Sequence, residues 1–306
     1  MAKVLIATVK PFSAEAVAEV KEVLQKAAYD VEVLSKYPDQ SDLVRAVADV
    51  DALIIRSDIV DREVIEASRN LKIVVRAGAG YDNVDLEAAT ERGIVVMNTP
   101  GQNSNAVAEL AIGMMVYMNR QRFTPATGTE LRGKALGIHA YGAVGRMVGM
   151  IARGFGMKVV AFDPYIDPLI IRNDGVVCEE SAASLYSKCE YISLHLPANA
   201  DTRGSVGFKL LNSMPQGATL VNTARKEVID EEGLKKMFAT REDFRYLSDI
   251  APDCQEELIK QYADRLFFTP KKMGAQTAEA NKNAGVAAAK QIVNFLEKGD
   301  TTFKVN

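Results

Sequence analysis

The stretch Leu136-Gly-Ile-His-Ala-Tyr-Gly-Ala-Val-Gly145-Arg146 decides the fold. An apolar run leads into a turn of small residues and then a segment with helical spacing, so strand, turn and helix follow in one run. Gly142 and Gly145 stand as the second and third glycines of a GxGxxG turn, with Ala140 in place of the first. Gly142 lets the backbone approach a pyrophosphate, the N–H groups of Ala143 and Val144 face it at the helix N-terminus, and Gly145 lets the helix close on the strand. Alanine fits the first turn only with a negative φ, because its Cβ penalises the left-handed region, so a negative φ is expected at Ala140. The next apolar run ends in Asp163, about 20 residues beyond the turn, where a carboxylate grips the ribose hydroxyls of NAD. Pro164 and Tyr165 follow instead of a cation for a 2′-phosphate, so NAD is expected rather than NADP.

Outward from this turn, short β-branched runs alternate with helical-period segments. A first series falls at 3–8, 31–34, 52–56, 73–76 and 95–98; a second begins with the run into the turn, 135–139, and goes on at 158–162, 191–194, 219–222, 246–249 and 267–269. This is the rhythm of parallel sheets covered on both faces. It breaks near Thr99-Pro100-Gly101, where an almost wholly apolar helix is expected from Asn103 or Ser104 to about Arg120. A last helix is expected from Thr277 to Lys298, stopped by Gly299. The expected class is α/β, with two doubly wound parallel-sheet domains.

With 306 residues, 37 basic and 40 acidic side chains and 48% hydrophobic residues, there is material for two cores and no basic excess for nucleic acid. Three cysteines (Cys178, Cys189, Cys254) without CxxC-type spacing give neither a disulfide framework nor a metal site. No long apolar run suggests a membrane span or a signal peptide. A cytoplasmic protein is expected.

Three further segments, Val75-Arg-Ala-Gly-Ala-Gly-Tyr-Asp-Asn-Val-Asp85, Val221-Asn-Thr-Ala-Arg-Lys-Glu-Val-Ile-Asp230 and Phe268-Thr-Pro-Lys-Lys-Met-Gly-Ala-Gln-Thr277, lie around the glycine turn. In this order they resemble the D-2-hydroxyacid dehydrogenase family, and Ile55-Arg-Ser57 with Asn98-Thr-Pro-Gly101 resemble its D-3-phosphoglycerate branch. The resemblance implies two Rossmann-like domains. One is a discontinuous substrate domain (1–98 plus 285–306), the other an inserted NAD domain (99–284), and the subunits form a homodimer. It assigns Arg225 to the carboxylate of a 2-oxo acid, a role suited to a planar guanidinium fork. The main chain at Ala77, Gly78 and Gly80 is assigned to the same carboxylate, and Arg76 either to a phosphate or to support. Arg56 and Ser57 are assigned to the phosphate of a small phosphorylated hydroxy acid. Tyr141, His195, Pro197 and Thr223 would line the cofactor, and Asp249 would hold its carboxamide.

The family's acid–base histidine, placed after Thr-Pro and paired with a glutamate, has no counterpart. The two histidines, His139 and His195, lie elsewhere, and Lys271 and Lys272 follow Thr269-Pro270. Aligned from Met273-Gly-Ala-Gln-Thr277, Lys272 takes the histidine's place, and the glutamate's place falls near Asp253 or Cys254. Loss of both is coherent, because a glutamate would push a lysine pKa away from neutrality. The expected reaction is NAD-dependent oxidation of D-3-phosphoglycerate, with a lysine acid/base. A glyoxylate or hydroxypyruvate reductase, and a non-catalytic NAD-sensing corepressor-like protein, are the alternatives. A C-terminal regulatory domain is not expected.

Overall fold

The computed structural model describes residues 1–306. Two units form, residues 1–103 with 275–306 and residues 104–274. The expected breaks were 98/99 and 284/285. The second lies inside the helix Ala278–Lys298, which belongs whole to the first unit.

The first unit carries β1 (Lys3–Thr8), β2 (Asp30–Ser35), β3 (Ala52–Ile55), β4 (Ile73–Arg76) and β5 (Val95–Asn98), all parallel in the order β2-β1-β3-β4-β5. The order reverses between β1 and β3, so their C-terminal ends frame a crevice of the kind that binds ligands in open α/β sheets. One face is covered by the helices Ala14–Lys26 and Ala278–Lys298. There Val20 and Leu24 meet Ala284, Ala288 and Ile292 over Val4, Ile6 and Ile54. Ser13 and Thr277 cap these helices by accepting from the N–H groups of Ala16 and Ala280, and Gly299 ends the second in the left-handed region.

The second unit carries β6 (Ala135–His139), β7 (Lys158–Phe162), β8 (Val177–Cys178), β9 (Tyr191–Leu194), β10 (Thr219–Asn222), β11 (Arg245–Ser248) and β12 (Leu266–Phe268). All are parallel, in the order β12-β11-β10-β9-β6-β7-β8, reversing between β6 and β9. The two-residue edge strand β8 was too short to show in the hydrophobic pattern. The helix Ser104–Asn119 buries Ala108, Ala111, Met114, Met115 and Met118 in the core beside β6 and the helix Ala143–Gly154. No helix is long and apolar enough to cross a membrane.

Candidate active site

In the second unit the turn after β6 departs from expectation at Ala140. Its φ is +78, in the left-handed region, although the residue is not glycine. The turn is held open to this conformation by its surroundings. The Ala140 N–H donates to the Phe162 carbonyl at 2.9 Å, and the Ala140 carbonyl lies under the helix, where a Cβ on Gly145 would approach it to 2.4 Å. Gly145 therefore gives the close helix–strand approach expected of it. A Cβ on Gly142 would meet nothing within 4 Å, so that face is open to a ligand.

The helix Ala143–Gly154 has Gly142 at its N-cap, no side-chain cap and no acidic residue in its first turn. Its first main-chain bond runs from Arg146 N–H to the Gly142 carbonyl, leaving the N–H groups of Ala143, Val144 and Gly145 to an outside anion. Asp163 stands beside this end. Its carboxylate accepts from the N–H groups of Tyr141 (2.8 Å) and Tyr165 (2.9 Å), which fixes it while leaving lone pairs for hydroxyl donors. The Tyr141 side chain is buried, with its hydroxyl toward Asp174, so only its main chain serves the turn.

His139 is buried, with Nδ1 3.2 Å from the Tyr186 hydroxyl, and burial lowers its pKa to about 4. His195 is half-buried with Nε2 2.9 Å from Ser193 Oγ, and burial, helped by His139, lowers its pKa to about 3. Both are neutral near pH 7. Pro197 is exposed beyond β9. At the ends of β10 and β11 two buried oxygens lack partners, Thr223 Oγ1 and Asp249 Oδ1. The other Asp249 oxygen accepts from the Gly274 N–H at 2.8 Å. Burial raises the Asp249 pKa, opposed by that N–H and by the positive charges of Lys272 and Arg225. Buried polar atoms without partners are rare, and these two fit the donor and acceptor pattern of a nicotinamide carboxamide.

Arg225 is half-buried in the loop after β10, and its Nη1 donates to the Ala224 carbonyl at 2.9 Å. Lys272, from the loop after β12, donates from Nζ to the same oxygen at 3.2 Å. A guanidinium and an ammonium thus meet on one carbonyl. Lys271 contributes its carbonyl, which accepts from Thr269 Oγ1 at 2.8 Å. Asp253, one candidate for the missing glutamate's place, is committed to Lys226. Cys254, the other, donates its N–H to Glu231, and burial first and Glu231 second raise its thiol pKa to about 12.

In the first unit Arg56 follows β3 with three of its five guanidinium N–H groups used. They go to the carbonyls of Lys10 (3.1 Å) and Pro11 (3.3 Å) and to Asn281 Oδ1, with the Phe12 ring beneath. Burial lowers its pKa. Ser57 is exposed. Buried Asp58, which carried no signal in the sequence, fastens this edge by accepting from the N–H groups of Val9 and Arg56 and from the Tyr37 hydroxyl.

Arg76 Nε donates to the Arg56 carbonyl at 3.0 Å, and its guanidinium covers Gly78, where a Cβ would lie 1.6 Å from Nη1. The Ala77 and Gly78 N–H groups are used by the carbonyls of Ile55 and Arg76. Those of Ala79 and Gly80 meet no acceptor in the chain, while the Gly78 and Ala79 carbonyls are pinned by Thr99 N–H and the Asn98 amide. The open donors of this turn are therefore Ala79 and Gly80, rather than Ala77 and Gly78.

Comparison with known proteins shows the fold and the family. The NAD+-bound 3-phosphoglycerate dehydrogenase of Entamoeba histolytica superposes with a TM-score of 0.88 and 44% identity, over 100% of this chain and 98% of that one. Hydroxypyruvate reductase of Thermotoga maritima is 34% identical over 287 residues, 87% of this chain and 92% of its own length. D-3-phosphoglycerate dehydrogenase of Methanocaldococcus jannaschii is 34% identical over 278 residues, 84% of this chain and 52% of its own length, so the chain spans about half of that relative. The D-isomer specific 2-hydroxyacid dehydrogenase catalytic domain matches residues 4–306, and the chain belongs to that family.

Proposed function

We propose that the protein interconverts D-3-phosphoglycerate and 3-phosphohydroxypyruvate with NAD, with Lys272 as the acid–base group. The observation that carries this reading is the meeting of Arg225 and Lys272 on the Ala224 carbonyl. It sets a carboxylate-binding fork beside an amine able to give or take a proton. Ala143, Val144 and Gly145 would hold the cofactor's pyrophosphate, Asp163 its ribose, and Thr223 with Asp249 its carboxamide. Bound there, NAD supplies the hydride acceptor. Arg225 binds the substrate carboxylate and, in the reductive direction, stabilises negative charge growing on the C2 oxygen while Lys272 Nζ delivers the proton to it. Ala79 and Gly80 N–H groups are further donors for the carboxylate. Ser57 and the two remaining N–H groups of Arg56 are donors for the phosphate.

Oxidation of NADH with 3-phosphohydroxypyruvate, and with hydroxypyruvate as the control lacking only the phosphate, tests the proposal. A rate that depends on the phosphate and falls in Arg56→Ala supports it. Comparable rates on both favour a hydroxypyruvate reductase, the reading that the engagement of Arg56 with Lys10, Pro11 and Asn281 favours. Silence on both with NADH still bound would favour a sensing role. A cytoplasmic homodimer is the setting we propose, checked by cell fractionation and light scattering.

A further inference from the structure

Asn222, the last residue of β10, is fully buried, and its side-chain amide makes three hydrogen bonds, two of them to the main chain that follows it. Its Oδ1 accepts from the Ala224 N–H at 2.9 Å, closing a tight turn over Thr223. Its Nδ2 donates to the Arg225 carbonyl at 2.9 Å and to the Tyr246 hydroxyl at 3.3 Å. The Asn222 main-chain carbonyl accepts from Ser248 Oγ at 2.7 Å and from the Asp249 N–H at 3.3 Å, which ties the same turn to the loop after β11. The amide thus holds the two peptides that flank the Ala224–Arg225 peptide. The carbonyl of Ala224, fixed between these two bonds, is the oxygen on which Arg225 Nη1 and Lys272 Nζ both dock.

We infer that Asn222 is a positioning residue that sets Arg225 and Lys272 together, by holding the Ala224 carbonyl they share. The inference rests on the roles proposed above for those two side chains. Asn222 itself need not touch substrate. Releasing its grip lets the Ala224–Arg225 peptide rotate, and both cations lose their common anchor in one event. Misplacing a reacting group by about 1 Å costs roughly 100-fold in rate, whereas the pyrophosphate end of the cofactor site, at the turn after β6, has no bond to Asn222.

The test is a double-mutant cycle on the full chain, with kcat/KM for 3-phosphohydroxypyruvate and NADH affinity by fluorescence as separate readings. Asn222→Ala is expected to lower kcat/KM by roughly 10- to 100-fold and NADH affinity by much less, because only the carboxamide end of the cofactor site, at Thr223 and Asp249, borders this turn. In an Arg225→Ala background the same change is expected to cost several-fold less than in wild type, because one of the two groups it positions is gone. Asn222→Ser keeps an oxygen able to accept from the Ala224 N–H while losing the bond to the Arg225 carbonyl, and it places no charge in the buried site. It is expected to fall between wild type and Asn222→Ala, and it decides the same two readings if the alanine variant fails to fold. Equal losses in both backgrounds, or NADH affinity falling in step with rate, would mean general support of the fold and overturn the inference. An Arg225→Ala enzyme at full rate would overturn the proposed roles themselves, a result separable from the first because it appears without any change at Asn222.

Discussion

Ala140 holds a left-handed backbone at a turn where glycine would be at ease, so Ala140→Gly should stabilise the second unit. The left-handed region costs an L-residue about 1–2 kcal/mol. Glycine returns part of that, because it loses about 0.5–1 kcal/mol more chain entropy on folding. The half-buried methyl offsets a little more, leaving about 0.5 kcal/mol in favour of glycine. For a unit of this size that is a rise of roughly 1–2 °C in melting temperature. Ala140→Val moves the other way, since a β-branched side chain is least tolerated at positive φ, and should destabilise by about 1–2 kcal/mol. The chain has no tryptophan, so urea unfolding is best followed by far-ultraviolet circular dichroism. A glycine variant that unfolds earlier than wild type, or a valine variant as stable as the glycine one, would refute the reasoning.

Gly145→Ala should be severe, because its Cβ would lie 2.4 Å from the Ala140 carbonyl and 3.0 Å from Ile138 Cγ2, neither of which is a flexible chain end. A loss of about 2–3 kcal/mol and weaker NADH binding are expected in a thermal melt and a fluorescence titration. Stability should also depend on His139. Its folded pKa of about 4 lies below its ordinary 6.5, so the folded state refuses a proton that the unfolded chain accepts. The stability this represents is complete above about pH 6.5 and is lost as the pH falls toward 4. It amounts to about 2 kcal/mol between pH 7.5 and 5. Urea midpoints at those two pH values should therefore separate more in wild type than in His139→Gln, and equal separations would remove His139 as the cause.

Much of the architecture was legible because buried parallel strands are near-continuous apolar runs, and β1, β4, β5, β6, β7, β9 and β10 fall where those runs do. Caps were legible for the same kind of reason: Ser13 and Thr277 announce helix starts, and Gly299 a stop. What escaped depends on partners distant in the chain or on backbone angles. Nothing around Ala140 reveals that Phe162 and the Gly145 helix hold it at positive φ. Arg56 reads as an available cation until Asn281, far along the chain, is seen against it. That Lys272 Nζ reaches the Ala224 carbonyl is a distance no alignment contains. Asn222 stood in a quoted motif, yet the five polar contacts from which its role is inferred became visible only in the structure.

The most direct test of the account is the rate of NADH oxidation by Lys272→Ala beside Lys271→Ala, with NADH affinity measured on both. The account predicts a loss of about 100-fold or more in kcat for Lys272→Ala, with NADH affinity retained and Lys271→Ala close to wild type. Full turnover in Lys272→Ala would contradict it, and a collapse confined to Lys271→Ala would move the acid–base role to that neighbour.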